Sequence, residues 1–347
     1  VSLPRKPKSA MWLSSAKPST RQRGMALILV LWVTMLLTVM VGSFVLLARG
    51  ESLQARQLFE STRAQLAAEA GIAIAVAQVR EVDEKVRWIA DGRVYKTDFE
   101  GAKLEVKVID ESGKIDINLA DQPTLLNLMK SVGFDDKEAE ARAASIIDWR
   151  DPDNLLTLNG AEDDTYESDG YAYGAKDAAF DMVEELQQLV GFNYETFLKL
   201  EPAITVYSSR AGINAAYAPE AALLALPGMT VDIARQFIAQ RQQEQAPGTP
   251  LPALPDGSTP LAQGGGLTYS VESRAVLENG ATAQVAVTLR MGNNSLNRPY
   301  RVVRWRDGAA AAAAVEAPAP TPAAAGATKT PTSPAPNPSS KANASDS

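Results

Sequence analysis

The chain contains no cysteine and no histidine in 347 residues. Without cysteine there are no disulfides, thiol nucleophiles or thiolate ligands, and without histidine there is no Ser-His-Asp triad. Zinc sites of the usual kind are excluded with them, so a metal here must be held by oxygens, the donor set that suits calcium. Aromatic residues are scarce at 6%, and nothing in their distribution marks a sugar-stacking groove. Basic charge is also in deficit, with a formal net charge of −7. Six of the bases, Arg5, Lys6, Lys8, Lys17, Arg21 and Arg23, stand before Met25 without a single acid, so the remainder carries −13. A surface of that sign repels phosphate backbones and argues against nucleic acid as a partner.

What the chain does have is one long uncharged run. Residues 1–24 are basic and rich in Pro, Ser and Lys, and read as a leader. Residues 25–48, MALILVLWVTMLLTVMVGSFVLLA, carry no charge. As a helix this run is about 36 Å long, enough to cross a hydrocarbon core of about 30 Å. Residues 49–80 continue in good helix formers, with Leu58, Phe59, Leu66 and Ala70 at helical spacing and Arg56, Arg63 and Glu69 between them. The pattern predicts one helix over 25–82, apolar all round in its first half and amphipathic in its second.

Strand signals follow over 83–116. Asp91-Gly92 predicts a hairpin turn, and Leu104, Val106 and Val108 alternate with Lys103, Glu105 and Lys107 as in a half-buried antiparallel strand. Residues 117–243 read as helical and hold a faint repeat, about 117–200 and 213–243. Each copy has Ile-Asn, a proline-started helix with paired leucines, a glycine break, and a second helix ending in arginine. A Pro/Gly-rich loop spans 244–265. Alternating strands return over 266–308 with an Asn279-Gly280 turn, and residues 309–347, almost wholly Ala, Pro, Ser and Thr, are expected to be a disordered tail. Strands on both sides of a helical block predict one sheet interrupted by an insertion.

The N-terminus has three readings. A secretory signal peptide needs a shorter apolar core and a small-x-small site after it. A plain single-span anchor fits any basic flank followed by about 20 apolar residues. The third reading is cleavage between Gly24 and Met25 on the cytoplasmic side. Basic residues, a glycine, a hydrophobic first mature residue and a half-apolar helix resemble a type IV prepilin leader. That pattern carries glutamate at the fifth mature position, where this chain has Leu29. With SGKIDINLA, IIDWRDPDN, NGAED, EELQQLVGF and LPGMTVDIARQFIAQR, the ordered set over 23–306 is similar to the K-type minor pseudopilins of the type II (general) secretion system.

The resemblance implies an α+β, type IV pilin-like fold: a long N-terminal transmembrane helix, an antiparallel sheet and a large helical insertion of two SAM-like, helix-hairpin-helix-like modules. It implies N-methylation of Met25, a single-pass inner-membrane protein with its C-terminal domain in the periplasm, and no catalysis. The implied role is to initiate and cap the pseudopilus tip while folded proteins are exported across the outer membrane. The implied partners are the I-type and J-type minor pseudopilins, the major pseudopilin, the prepilin peptidase, the inner-membrane secretion platform and secreted substrates. In pilus-like filaments the glutamate offsets a neighbour's α-amine inside the membrane, so a subunit lacking it suits a place with none above. The competing class is a single-span periplasmic enzyme or receptor with an acidic calcium-dependent domain.

Eight acids, Asp148, Asp151, Asp153, Glu162, Asp163, Asp164, Glu167 and Asp169, fall within 22 residues against one base, Arg150. A solvated acidic loop and a calcium site both fit such a run. It is no EF-hand, because Leu155 and Leu156 stand where that loop needs an oxygen ligand and a glycine. Calcium in this insertion is implied by the resemblance, with Asp151, Asp153, Glu162, Asp163, Asp164 and Asp177 as the expected ligands. Paired carboxylates also serve glycosidases, but no stacking groove accompanies them. Helix–glycine–helix pieces also bind DNA, yet Pro227, Gly228, Met229, Thr230 and Asp232 bring no base before Arg235, which favours packing.

Overall fold

A computed structural model describes residues 23–243, 250–260, 265–292 and 298–308. The leader up to residue 22, much of the 244–265 loop and the tail 309–347 lie outside the described residues. The architecture is α+β: one long helix, one five-stranded antiparallel sheet and a helical insertion.

Helix α1 runs Arg23–Val79, 57 residues without a break. Every side chain from 26 to 59 is exposed. Beyond that, Ala64, Ala67, Ala68, Gly71, Ile72, Ala75 and Val76 are buried, at the i, i+3, i+4 spacing of a single face. The expected stripe is corrected here: Leu58, Phe59 and Leu66 are 67%, 67% and 59% exposed. Small residues take the sheet-facing side because the helix sits close. A Cβ on Gly71 would stand 2.1 Å from Ser273 Oγ and 3.3 Å from Val106 Cγ2.

The sheet contains β1 (Asp91–Phe99), β2 (Ala102–Asp110), β5 (Thr268–Leu277), β6 (Thr282–Met291) and β7 (Tyr300–Asp307), in that spatial order and antiparallel throughout. Leu104, Val106 and Val108 of β2 turn to α1, with Val271, Ala275, Val285, Val287 and Leu289 beside them in one core. Asp91-Gly92 makes no hairpin turn. Both residues lie in β1, where the Asp91 carboxylate accepts from Arg93 Nε (2.9 Å) and Nη2 (2.8 Å) and the register slips before Val94. The turn is Glu100-Gly101, with φ +49° and +77°, which joins Phe99 to its partner Ala102. Asn279-Gly280 does close β5–β6, the Asn279 side chain accepting from Ala281 N–H (3.0 Å).

Strand β2 pairs directly with β5, Asp110 opposite Tyr269, so everything between is inserted at one strand junction. Both ends of the insertion are tied to one carboxylate. Asp110 accepts from Ser112 N–H and from Gly266 N–H, each 2.8 Å. Within the insertion a short parallel pair, β3 (Ile115–Asp116) and β4 (Ile204–Thr205), joins α2 (Gln122–Ser131), α3 (Asp136–Arg150), α4 (Asp163–Ser168), α5 (Tyr194–Leu200), α6 (Glu220–Leu223) and α7 (Val231–Gln243). They share a second core that includes Leu125, Leu128, Ile146, Leu186, Leu200, Leu223 and Phe237.

The two helix pairs, α2–α3 and α6–α7, break at Gly133 and Gly228, both at positive φ. Each pair ends on an arginine that reaches back to carbonyls ahead of its first helix. Arg150 donates to Ile117 O and Ala120 O, and Arg241 to Ala215 O (2.7 Å) and Ala218 O (3.0 Å). Arg241 also donates to Asp91 O (3.1 Å), fastening the second pair to β1. On the far side, Arg304 and Arg306 of β7 pair with Glu201, and Arg304 also with Glu184.

Candidate functional site

The acidic site lies where α3 gives way to a loop and the chain restarts in α4. Asp148, in the last turn of α3, is fully buried and holds the loop above it. Its carboxylate accepts from Thr157 N–H (3.2 Å) and Ala161 N–H (2.8 Å). Gly160 is required there, since a Cβ would sit 1.9 Å from Asp148 Oδ2. The fold of the loop brings Glu162 to Asp148 across a sharp return. Trp149, Tyr166 and Phe180 pack alongside, with ring centroids 5.9 Å (Trp149–Tyr166) and 6.3 Å (Trp149–Phe180) apart.

Glu162 is 5% exposed, and neither of its carboxylate oxygens has a hydrogen-bond partner. Burial pushes its pKa up to about 7, reinforced by the negative charges of Asp148, Asp151, Asp177 and Asp163. Asp151 caps the end of α3. Burial first, then Asp148 and Asp153, raise its pKa above the ordinary carboxylate range. One oxygen of Asp151 and one of Asp177 are likewise buried and unpartnered, and Asp177 holds φ at +52°. Arg150, next to Asp151 in sequence, spends both terminal nitrogens on carbonyls, and its charge only partly offsets the rise at Asp151.

Of the six residues expected as ligands, Asp151, Glu162 and Asp177 present buried free oxygens to one region. Asp163 borders it, accepting from Ala175 N–H (3.0 Å), with Gly174 so close that a Cβ would lie 1.8 Å from its Oδ1. Asp153 is exposed and accepts from Leu155 N–H (3.0 Å), and Asp164 is exposed. Asp148 is central but was not among the six, because nothing in the spacing of eight acids distinguishes the one at the end of a buried helix. Among the described residues no three acidic side chains converge at metal-ligating spacing. Four unpartnered buried oxygens on three carboxylates nonetheless suit a hard cation, which would supply the missing positive charge.

The second functional element is α1. Its apolar stretch has a mean hydropathy of 2.4 over an 18-residue window with none of it buried, long and apolar enough to cross a membrane. Gly24 and Met25 lie in its first turn. In the glycine-linked α6–α7 pair the first base, Arg235, is exposed and pairs with Glu220 at 3.3 Å.

Residues 102–209 match the family model described as type II secretion system protein K, a span from β2 through the acidic site to just past β4. Over that span, less than a third of its length, the chain is similar to the type II secretion system protein K family. Protein K of Pectobacterium carotovorum subsp. carotovorum is 31% identical over 120 residues, covering 33% of this chain and 37% of that protein. The chain thus spans well under half of that relative's length. Protein K of Klebsiella pneumoniae is 26% identical over 247 residues, 64% of this chain and 76% of that one. A solved structure to which the chain is similar is a chain in the crystal structure of the GspK-GspI-GspJ complex from the type 2 secretion system of enterotoxigenic Escherichia coli. Its TM-score is 0.48 at 17% identity, with 75% of this chain and 99% of that chain covered.

Proposed function

We propose that this protein is a membrane-anchored minor pseudopilin that initiates and caps the tip of a secretion pseudopilus. The observation that carries this reading is the build of α1 in a chain whose residues 102–209 match the protein K family model. More than thirty consecutive residues are exposed and apolar for most of their length, and the same helix then seats a small-residue face on the sheet. A helix exposed on all sides needs lipid or sibling helices around it. The basic segment before it supports a cytoplasmic N-terminal end, and with it a single-pass inner-membrane protein whose sheet and insertion face the periplasm.

The finer reading follows the same line. The sheet with α1 forms a type IV pilin-like domain, and the two arginine-closed helix pairs are SAM-like modules. Prepilin peptidase cuts between Gly24 and Met25, and Met25 becomes N-methylated. The I-type and J-type pseudopilins and the major pseudopilin pack along α1, the inner-membrane platform drives assembly, and secreted proteins are met at the tip. The protein performs no catalysis. Calcium is a structural ion bound by Asp151, Glu162 and Asp177, with Asp163 near, on a scaffold set by Asp148; Asp153 and Asp164 complete the candidate set from the rim.

Mass spectrometry of the protein recovered from cells that assemble the system tests the reading. The expected N-terminus is Met25 carrying one methyl group. A chain that retains Arg21 and Arg23 would leave a plain membrane anchor and remove the pseudopilin assignment.

A further inference from the structure

Several cations on the sheet are matched, while Lys103 and Arg274 stand exposed and singly. Arg93 pairs with Asp91 at 2.8 Å, Lys96 with Glu105 at 3.2 Å, Lys107 with Glu272 at 3.8 Å, and Arg304 with Glu201 at 2.9 Å. Arg290 near the end of β6 and Arg301 near the start of β7 differ from these in being a facing pair. They stand directly opposite one another in the register, both are exposed, and neither has a carboxylate or hydrogen-bond partner among the described residues. Like charges placed face to face across two strands oppose each other. The connecting segment 292–299 contains no acid to relieve them. Strand β7 is also the edge of the sheet, and Val302 and Trp305 on it are 41% and 43% exposed.

We infer that the β6–β7 end of the sheet is a docking surface for an acidic, extended polypeptide segment of another protein, laid along β7 with its carboxylates between Arg290 and Arg301. Guanidinium forks bind carboxylates two-handedly, and an open edge supplies main-chain hydrogen bonds to an added strand. The anchoring membrane is no source of the anion. Arg63 reaches Glu100 at the membrane-near end of the sheet, whereas Arg290 pairs with Thr268 at the opposite end. From the last uncharged residues of the span to Val76 the helix rises about 40 Å, many times a Debye length of about 8 Å. The inference does not depend on the pseudopilin reading, since it uses only the charges and the edge.

The test uses the full-length protein in phosphatidylcholine nanodiscs and a fluorescein-labelled Glu-Val-Glu-Val-Glu-Val peptide, read by anisotropy. Binding is expected with wild type, weakened tenfold or more in the R290Q/R301Q double variant, and unchanged in R274Q, an exposed arginine elsewhere on the sheet. Replacing the peptide's central valine by proline is expected to weaken binding as well. Equal affinity of wild type and R290Q/R301Q would overturn the inference. So would tighter peptide binding after Glu316→Gln, which would assign the surface to the chain's own C-terminal segment. Capture of phosphatidylglycerol vesicles in preference to the peptide, lost in the same double variant, would replace the protein partner by a lipid surface and overturn it too.

Discussion

Glu162 keeps both carboxylate oxygens buried and unpaired while four other acids face the same region, and its pKa rises to about 7. A carboxyl whose folded pKa exceeds its unfolded value holds its proton more tightly in the native chain. Its contribution is fully present below the ordinary glutamate range and is lost as pH rises through about 7. In calcium-free buffer the melting temperature is therefore expected to fall between about pH 5 and about pH 8. Glu162→Gln removes the titrating charge and flattens that slope. Saturating calcium favours the ionised carboxylate and is expected to raise the wild-type melting temperature at the upper pH, with a much smaller rise in the variant. Thermal unfolding with chelator and with calcium, at both pH values, reads all four states. A slope that survives the substitution would acquit Glu162, and a melting temperature indifferent to calcium would remove the ion. That an acidic site existed was legible from the run of carboxylates alone. Its organisation was not, because Asp148 acts through contacts with Thr157, Ala161 and Gly160 that only the returning loop creates.

Helix α1 shows why large apolar side chains can mislead. The periodicity of Leu58, Phe59 and Leu66 is real, yet these residues stay exposed and the buried face is made of Ala64, Ala67, Ala68 and Gly71. Close approach of a helix to a sheet selects small residues, and alanine is too common in helices to be read as a core signal. Alternation served better in the strands, since Leu104, Val106 and Val108 all fall on the α1 face. The Asp91-Gly92 pair failed as a turn because Arg93 engages the aspartate within a strand, and the true turn at Glu100-Gly101 lacks the usual asparagine or aspartate. The contrast between the two faces is testable. Ala68→Leu forces a larger side chain between helix and sheet and is expected to cost about 1–3 kcal/mol in chemical denaturation. Leu66→Ala is expected to change stability by no more than about 0.5 kcal/mol, while weakening association with other helices. Comparable losses from both would mean that α1 seats on the sheet by a different face.

At the scale of the whole molecule, the insertion is held at three separate points. Asp110 ties its two ends together, Arg241 fastens it to β1 through Asp91, and Glu184 and Glu201 fasten it to β7 through Arg304 and Arg306. Those attachments span the sheet from one edge strand to the other, so the insertion is a fixed head at the end remote from the apolar part of α1. On the proposed pseudopilin reading, such a head would fit poorly beside subunits stacked along a shaft, and Leu29 would supply no carboxylate for a neighbour above. Since Asp110 and Tyr269 are direct partners in the register, an Asn-Gly turn joining them would excise the head and leave a two-residue hairpin loop between β2 and β5. The trimmed chain loses the cover over Ala286 and Thr288 and the partners of Arg304 and Arg306, so its melting temperature is expected to drop. Its strand content by circular dichroism and its membrane insertion are expected to persist. Export of folded protein, measured as the secreted fraction, is expected to fall at least about tenfold, the loss that about 1.4 kcal/mol of missing assembly energy produces. Wild-type export from a trimmed chain verified as folded would show that the head has no part in tip formation, and that α1 and the sheet suffice.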